Sequence, residues 1–149
     1  MEKVFWTHNE AETGAVAQKM ATITTRGDVW ALSGTLGAGK SVFARAFIQH
    51  LTSADEVPSP TFTLVQTYWT DDFDIYHYDL YRLKDAMEIF ELGVEEAFFS
   101  AVSLVEWPEK MAGFAPRNMW HVKIEPQGEA RRITISTDDE EKFRRIQNV

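Results

Sequence analysis

The 149 residues are 44% hydrophobic and 13% aromatic, which is enough apolar material for a folded core, and the length predicts one compact domain over residues 1–149. The formal net charge of -8 argues against autonomous nucleic-acid binding, because the average field repels phosphate backbones. The lack of cysteine excludes disulfides and thiolate metal sites, and no apolar run approaches the roughly 18 residues of a membrane span. We expect a cytoplasmic protein with no membrane contact.

The first third of the chain predicts an alternation of strands and helices. Residues 3–7 predict a short strand, and residues 9–24 a helix whose apolar positions recur at helical spacing. Residues 29–33 form a short apolar run, which is typical of a strand buried on both faces in a parallel sheet. Residues 42–51 predict a second helix with one apolar face.

The middle of the chain predicts a hairpin and two short helices. Residues 61–69 and 75–80 are β-rich and are separated by a polar turn. Residues 85–92 and 94–98 predict helices, with Gly93 as the point where the first one ends.

The last third predicts further strands. Residues 101–105 form a second buried strand, whereas 120–125 and 131–136 alternate apolar with polar in the manner of antiparallel strands that face water on one side. Residues 138–149 are charged and predict a frayed helix. The fold class expected is therefore α/β, a three-layer sandwich around a mixed sheet with a parallel centre and antiparallel additions at its edges.

A phosphate-binding pattern lies between the strand at 29–33 and the next helix. Gly34, Gly39, Lys40 and Ser41 meet the pattern G-x-x-x-x-G-K-S/T of P-loop proteins. The glycines let main-chain amides converge on phosphate, the lysine bridges the β- and γ-phosphates, and the serine hydroxyl is a ligand for Mg²⁺. A plain glycine turn between strand and helix is the alternative, which the preceding strand and following helix disfavour. The predicted contacts to ATP phosphates are Gly34, Thr35, Leu36, Gly37, Ala38, Gly39, Lys40, Ser41 and Val42.

Two acids are candidates to complete a magnesium site. P-loop hydrolases use a carboxylate at the end of a neighbouring strand to order the Mg²⁺ shell, and Glu106 ends the apolar run 101–105. Asp79 lies in an alternating strand and is favoured as a second acid near the γ-phosphate or its water. An ion pair between Asp79 and Arg82 explains this residue equally well.

Three further residues carry weaker signals. Thr61 follows a proline pair at the place where many P-loop hydrolases have a switch segment that senses the γ-phosphate, although threonine is also common in strands. His77 is more often a hydrogen-bonded structural residue than a base. Trp107 follows Glu106 and packs either near the nucleotide or in the core.

Five segments of the chain together carry a family resemblance. They are Gly37-Ala38-Gly39-Lys40-Ser41, Ser59-Pro60-Thr61-Phe62-Thr63, His77-Tyr78-Asp79-Leu80-Tyr81-Arg82, Glu91-Leu92-Gly93 and Val105-Glu106-Trp107-Pro108. In order and spacing they resemble the TsaE family of P-loop proteins over about residues 7 to 110. Serine stands at position 41 where threonine is common in that family, which keeps the hydroxyl.

The resemblance implies a function and its partners. TsaE proteins are the ATPase component of the bacterial machinery that makes threonylcarbamoyladenosine at position 37 of tRNA, and they act with TsaB and TsaD. For this chain the resemblance implies ATP and Mg²⁺ as ligands, ADP as product, slow hydrolysis that the partners stimulate, and contact with tRNA only through the complex.

The resemblance also implies roles for individual residues. Lys40 and Ser41 hold phosphate and Mg²⁺, and Glu106 joins the metal shell. Thr61 belongs to a switch-like segment, Asp79 is catalytically important, and Trp107 lies near the nucleotide.

Two other functions share the P-loop. A small-molecule kinase has the same strand, loop and helix, but it needs a second substrate pocket and a lid with arginines, and the sequence has no obvious arginine-bearing insert. A nucleotide-gated binding module, in which hydrolysis is incidental, is the second alternative.

Overall fold

The computed structural model describes residues 1–60 and 63–149, which form a mixed β-sheet with helices on both faces. The strands are β1 Glu2–Thr7, β2 Val29–Ser33, β3 Val65–Trp69, β4 Asp74–Asp79, β5 Val102–Glu106, β6 Trp120–Gln127 and β7 Ala130–Ser136. The helices are α1 Glu10–Ile23, α2 Lys40–Leu51, α3 Val94–Ser100 and α4 Glu140–Gln147, with 3₁₀ helices at Ala86–Leu92 and Pro108–Phe114. None of the helices in these two ranges is long and apolar enough to cross a membrane.

The order of strands across the sheet is β1-β7-β6-β2-β5-β4-β3. The four central strands β6, β2, β5 and β4 run parallel, whereas β3, β7 and β1 pair antiparallel with their neighbours. This arrangement confirms the predicted α/β class and the parallel centre with antiparallel edges.

The direction of β6 corrects one expectation. The strand pairs antiparallel with β7, as predicted, but parallel with β2, so it belongs to the parallel centre. Its alternating pattern reflects burial: Trp120, Val122 and Ile124 are fully buried, whereas His121 and Lys123 are exposed. Alternation reports that one face of a strand is covered, and it carries no information about strand direction.

The helices bury the two faces of the sheet separately. On one face Trp30 of β2 packs against Phe47 of α2 and stacks on Trp120, with ring centroids 4.6 Å apart. On the other face Tyr78 and Val105 belong to a second cluster together with residues of α3 and of both 3₁₀ helices. Two cores on opposite faces of one sheet make the three-layer arrangement that the sequence predicts.

Helix α4 is docked, which corrects the expectation of a frayed end. Ile146 is fully buried, and Phe143 packs against the same core. Arg145 donates to Asp28 just before β2, and the Asp139 carboxylate accepts hydrogen bonds from two amides at the helix start. The charged sequence predicted a frayed helix, but an apolar anchor, an ion pair and an N-cap stabilise it.

The parallel centre decides where the polar residues meet. Strands β2, β5 and β4 are neighbours that run in the same direction, so their carboxyl ends lie at one edge of the sheet. Gly34 directly follows β2, Glu106 ends β5 and Asp79 ends β4. In open parallel sheets, ligands bind outside this edge.

Candidate functional site

The loop between β2 and α2 has a backbone that requires glycine at its first position. Gly34 has φ of +150°, and a Cβ there would lie 2.6 Å from the Ile124 carbonyl oxygen. Gly39 has φ of +119° and is the residue immediately before α2. Between them the Ala38 amide donates to the Thr35 carbonyl over 3.0 Å. The glycines of the motif therefore match the conformation that the loop adopts.

The β6–β7 hairpin fastens this loop from a distant part of the chain. Arg131 of β7 donates from Nε to the carbonyl of Ala38 over 3.1 Å, and Ala38 is buried. The bond joins residues 93 positions apart, and no sequence signal singles out this arginine. The sequence predicted only that Arg131 begins the strand at 131–136, and its contact with the loop was missed.

The start of α2 supplies the groups that suit a phosphate. The first N–H groups of a helix have no partner within it, and the helix dipole makes this end positive. Lys40 is the first residue of α2 and Ser41 the second. A helix that begins inside a glycine loop is the arrangement that binds phosphate in P-loop proteins.

The Lys40 ammonium is held against the loop and an aromatic ring. Its Nζ donates to the Gly34 carbonyl and lies 3.8 Å from the centre of the Trp107 ring. Burial lowers the pKa of Lys40, and this effect exceeds the opposing attraction of nearby carboxylates, of which Glu106 is the strongest. The lysine is therefore held at the loop between a main-chain carbonyl and an aromatic ring.

The two predicted acids lie side by side. Asp79 and Glu106 are paired residues in the register of β4 and β5, and both are buried. The Asp79 carboxylate accepts a hydrogen bond from the Tyr81 amide over 3.0 Å, which fixes its direction at the strand end. The structure thus brings together two carboxylates that are 27 residues apart in the sequence.

His77 is bonded to one of these acids. Its Nε2 lies 2.7 Å from Oε2 of Glu106, and both side chains are buried. Sequence reasoning expected a hydrogen-bonded histidine here but did not identify its partner, because that partner lies on another strand.

Trp107 occupies an unusual backbone position at the site. It has φ of +59°, which is rare for a residue with a Cβ, and it is half-buried. Its ring packs against Tyr81 with centroids 4.8 Å apart as well as over Lys40. The ring thus lies beside the phosphate loop and also packs against the core cluster of Tyr78 and Val105, and its contact with a nucleotide stays a prediction.

The loop, the acids and the tryptophan line one cleft of about 220 Å³. Its lining residues are Leu36, Gly37, Gly39, Lys40, Ser41, Val42, Ser59, Asp79, Glu106 and Trp107. The cleft thus contains most of the residues that the sequence singles out, while Gly34, Thr35 and Ala38 shape the same loop. Thr61 lies outside the described residues.

The oxygen groups in this cleft suit Mg²⁺ bound together with a phosphate. Ser41 offers a hydroxyl, and Glu106 and Asp79 offer carboxylates, which are the ligand types that this hard cation prefers. Within residues 1–60 and 63–149, no cluster of three or more acidic, histidine or cysteine side chains could hold a metal by itself. Mg²⁺ in nucleotide sites typically uses one or two protein ligands, with phosphate and water as the others, so the residues present fit.

A second cavity of about 190 Å³ lies beside the same loop. The loop residues Gly37 to Gly39 contribute to its lining, together with the start of α1 and Arg131. The glycine loop therefore lies between two cavities. The paired acids line the cleft of about 220 Å³ and not the cavity of about 190 Å³.

Comparisons with known proteins agree with this geometry. A family model described as "Threonylcarbamoyl adenosine biosynthesis protein TsaE" matches residues 7–134. A protein of Rickettsia felis named tRNA threonylcarbamoyladenosine biosynthesis protein TsaE is 42% identical over 136 residues, which cover 90% of this chain and 80% of the relative. A Bacillus subtilis protein of the same name is 37% identical over 139 residues, covering 91% and 87% of the two chains.

A solved structure resembles nearly the whole chain. The crystal structure of Bacillus subtilis YdiB superposes with a TM-score of 0.81 at 27% sequence identity. The match covers 99% of this chain and 93% of that one. The similarity thus extends from the loop to the edge strands and α4.

Proposed function

The chain belongs to the TsaE family, whose members take part in threonylcarbamoyladenosine biosynthesis, and on that premise we propose an ATP-dependent function. The chain binds Mg-ATP, hydrolyses it slowly, and works with TsaB and TsaD in making threonylcarbamoyladenosine at position 37 of tRNA. The observation that carries this proposal is one cleft that joins the glycine loop, Lys40 and the paired acids Asp79 and Glu106.

The proposed grip on ATP starts from the loop. Amides of the loop and of the first turn of α2 donate to the phosphates, and Lys40 neutralises the γ-phosphate. To do so, its ammonium leaves the Gly34 carbonyl and the Trp107 ring, where it lies in the present structure. Phosphate oxygens then replace a carbonyl and a ring face as partners of the charge.

The proposed metal shell uses Ser41 and Glu106 from the protein. A bound Mg²⁺ neutralises charge that develops on the phosphate oxygens during hydrolysis. Asp79, which pairs with Glu106 in the sheet, would orient the attacking water. The water oxygen bonds to the γ-phosphorus as the bond to the ADP oxygen breaks, and both hydrogens of the water leave with the phosphate. We place Thr61 in the segment that senses the γ-phosphate, and the nucleoside in the second cavity beside the loop.

The charge of the chain agrees with a division of labour. A net charge of -8 disfavours direct contact with tRNA, so the partners hold the nucleic acid while this subunit, in the cytoplasm, binds and hydrolyses ATP. Hydrolysis is slow in the isolated chain, because P-loop sites of this kind often need a partner to order the segment around the γ-phosphate.

Reconstitution tests the proposal. Phosphate release and the modified nucleoside in tRNA are measured for the chain alone, for TsaB with TsaD, and for all three proteins. We expect modification only with all three, and a higher rate of phosphate release than the chain shows alone. Equal ATP turnover with and without the two partners, or modification without the chain, refutes the proposal.

A substitution separates hydrolysis from nucleotide-gated binding. Glu106→Gln keeps the size of the side chain and removes its charge. We expect the variant to bind nucleotide in EDTA like the wild type and to lose turnover and tRNA modification together. Full tRNA modification by this variant would show that hydrolysis is incidental. Phosphorylation of an added small acceptor by the wild-type chain would instead show that the protein is a kinase.

A further inference from the structure

A buried histidine lies directly behind the carboxylate of Glu106. His77 is 1% exposed, and in the register of β4 and β5 it pairs with Leu104, whereas Asp79 pairs with Glu106. The imidazole therefore lies two residues deeper in the sheet than the two acids that line the cleft. A general base must reach the proton that it removes, so His77 is not placed to act as one.

The partners of His77 determine which ring nitrogen carries the hydrogen. An ionised carboxylate only accepts hydrogen bonds, so the N–H is on Nε2 and donates to Oε2 of Glu106 over 2.7 Å. Nδ1 is buried and has no hydrogen-bond partner among residues 1–60 and 63–149. A hydrogen on Nδ1 would be a buried donor without a partner, which is costly. The hydrogen bond between the two side chains therefore runs from the Nε2–H of His77 to Oε2 of Glu106.

We propose that His77 is a positioning residue that orients Glu106 toward the Mg²⁺ of bound ATP, an inference that rests on the proposed function. Its N–H engages Oε2, which leaves Oε1 as the oxygen available to the cleft. Hydrogen bonds behind a metal-binding carboxylate fix its direction, and their loss typically lowers metal affinity or activity about 10–100-fold. His77 itself touches neither the nucleotide nor the reacting atoms.

Three substitutions at His77 differ in whether a donor reaches Glu106. His77→Gln has an amide N–H at about the reach of Nε2, whereas the amide of His77→Asn stops at about the reach of Nδ1, one bond earlier. His77→Leu has no donor. Ile75→Val is the matched control, since Ile75 is fully buried on the same face of β4 and the change only trims the core.

The readout is the binding of a non-hydrolysable ATP analogue, measured by calorimetry with Mg²⁺ and with EDTA. For the wild type we expect Mg²⁺ to increase the affinity. For His77→Leu and His77→Asn we expect this gain to fall about 10–100-fold, while the affinity in EDTA stays that of the wild type. His77→Gln retains most of the gain, and Ile75→Val retains all of it.

Each other outcome contradicts the inference in a recognisable way. Wild-type magnesium dependence in His77→Leu and His77→Asn, or an equal loss of affinity in EDTA, gives His77 a merely structural role. If His77→Leu does not fold, the contrast between His77→Gln and His77→Asn decides, and equal behaviour of these two overturns the inference. A wild-type chain that does not bind the analogue at all refutes the proposed function itself.

Discussion

Buried acids lie near both ends of β2, but in different surroundings. Before the strand, the carboxylate of Asp28 accepts two hydrogen bonds from Arg145 and lies 3.4 Å from the ammonium of Lys142. After the strand, Asp79 and Glu106 lie beside each other on neighbouring strands, and Lys40 donates to a main-chain carbonyl. Asp28 and its two cations form a closed structural network, whereas Asp79 and Glu106 line a cleft that is open to a ligand.

Effects on stability and effects on binding can therefore be separated at the two ends of β2. At the amino end the ion pairs join α4 to the sheet, so losing them affects folding. At the carboxyl end the charged side chains line the cleft that we propose for ATP, and a binding site typically costs stability. Substitutions at the amino end should therefore change the free energy of unfolding, and substitutions at the carboxyl end should change ATP turnover.

The largest effect is expected from Lys40→Ala. Removing the charge that we propose to neutralise the γ-phosphate should lower ATP turnover roughly 1,000-fold, as measured by phosphate release with saturating ATP in the three-protein mixture. Stability in urea should be unchanged or increased, because the variant no longer buries an ammonium group. Turnover close to that of the wild type would show that the carboxyl end of β2 is not the phosphate site.

The phosphate loop could be predicted from the sequence because its residues are contiguous. Gly34 to Ser41 lie between an apolar strand and an amphipathic helix, and each local pattern points to the same structure. Glu106 was singled out because it ends an apolar run, and Asp79 because it lies in an alternating β-rich segment. Their roles stay predictions, although the structure places both in the cleft.

The contacts that the sequence did not predict join residues far apart in the chain. The bond from His77 to Glu106 spans 29 positions, that from Arg131 to Ala38 spans 93, and that from Arg145 to Asp28 spans 117. Local spacing carries no information on such pairs, because they depend on strand order and helix docking. The parallel direction of β6 escaped prediction for the same reason.

The next largest effect is expected from Asp28→Asn, at the other end of β2. The change leaves Arg145 and Lys142 facing a neutral amide in a buried place, which should cost about 3 kcal/mol in the free energy of unfolding. Urea denaturation measures this loss, and the affinity for the ATP analogue below the transition should stay that of the wild type.

Arg145→Met supplies the control for this ion pair. In the double variant with Asp28→Asn, the loss of stability should be smaller than the sum of the two single losses. Strictly additive losses would show that α4 is held by its apolar contacts alone, and the amino end would no longer count as a closed network.

The smallest effect is expected from Asp139→Ala, at the start of α4. Hydrogen bonds from the amides of Lys142 and Glu141 lower the pKa of Asp139 in the folded chain. An acid whose pKa is lowered by folding contributes its full stability above its unfolded pKa, near 3.8, and loses that contribution as the pH falls through the folded value. The wild type should therefore be more stable than the variant at pH 7, and the difference should vanish in strong acid. Urea midpoints for both proteins across this pH range measure it, and a difference that persists in acid would show that the side chain acts through packing and not as a charged cap.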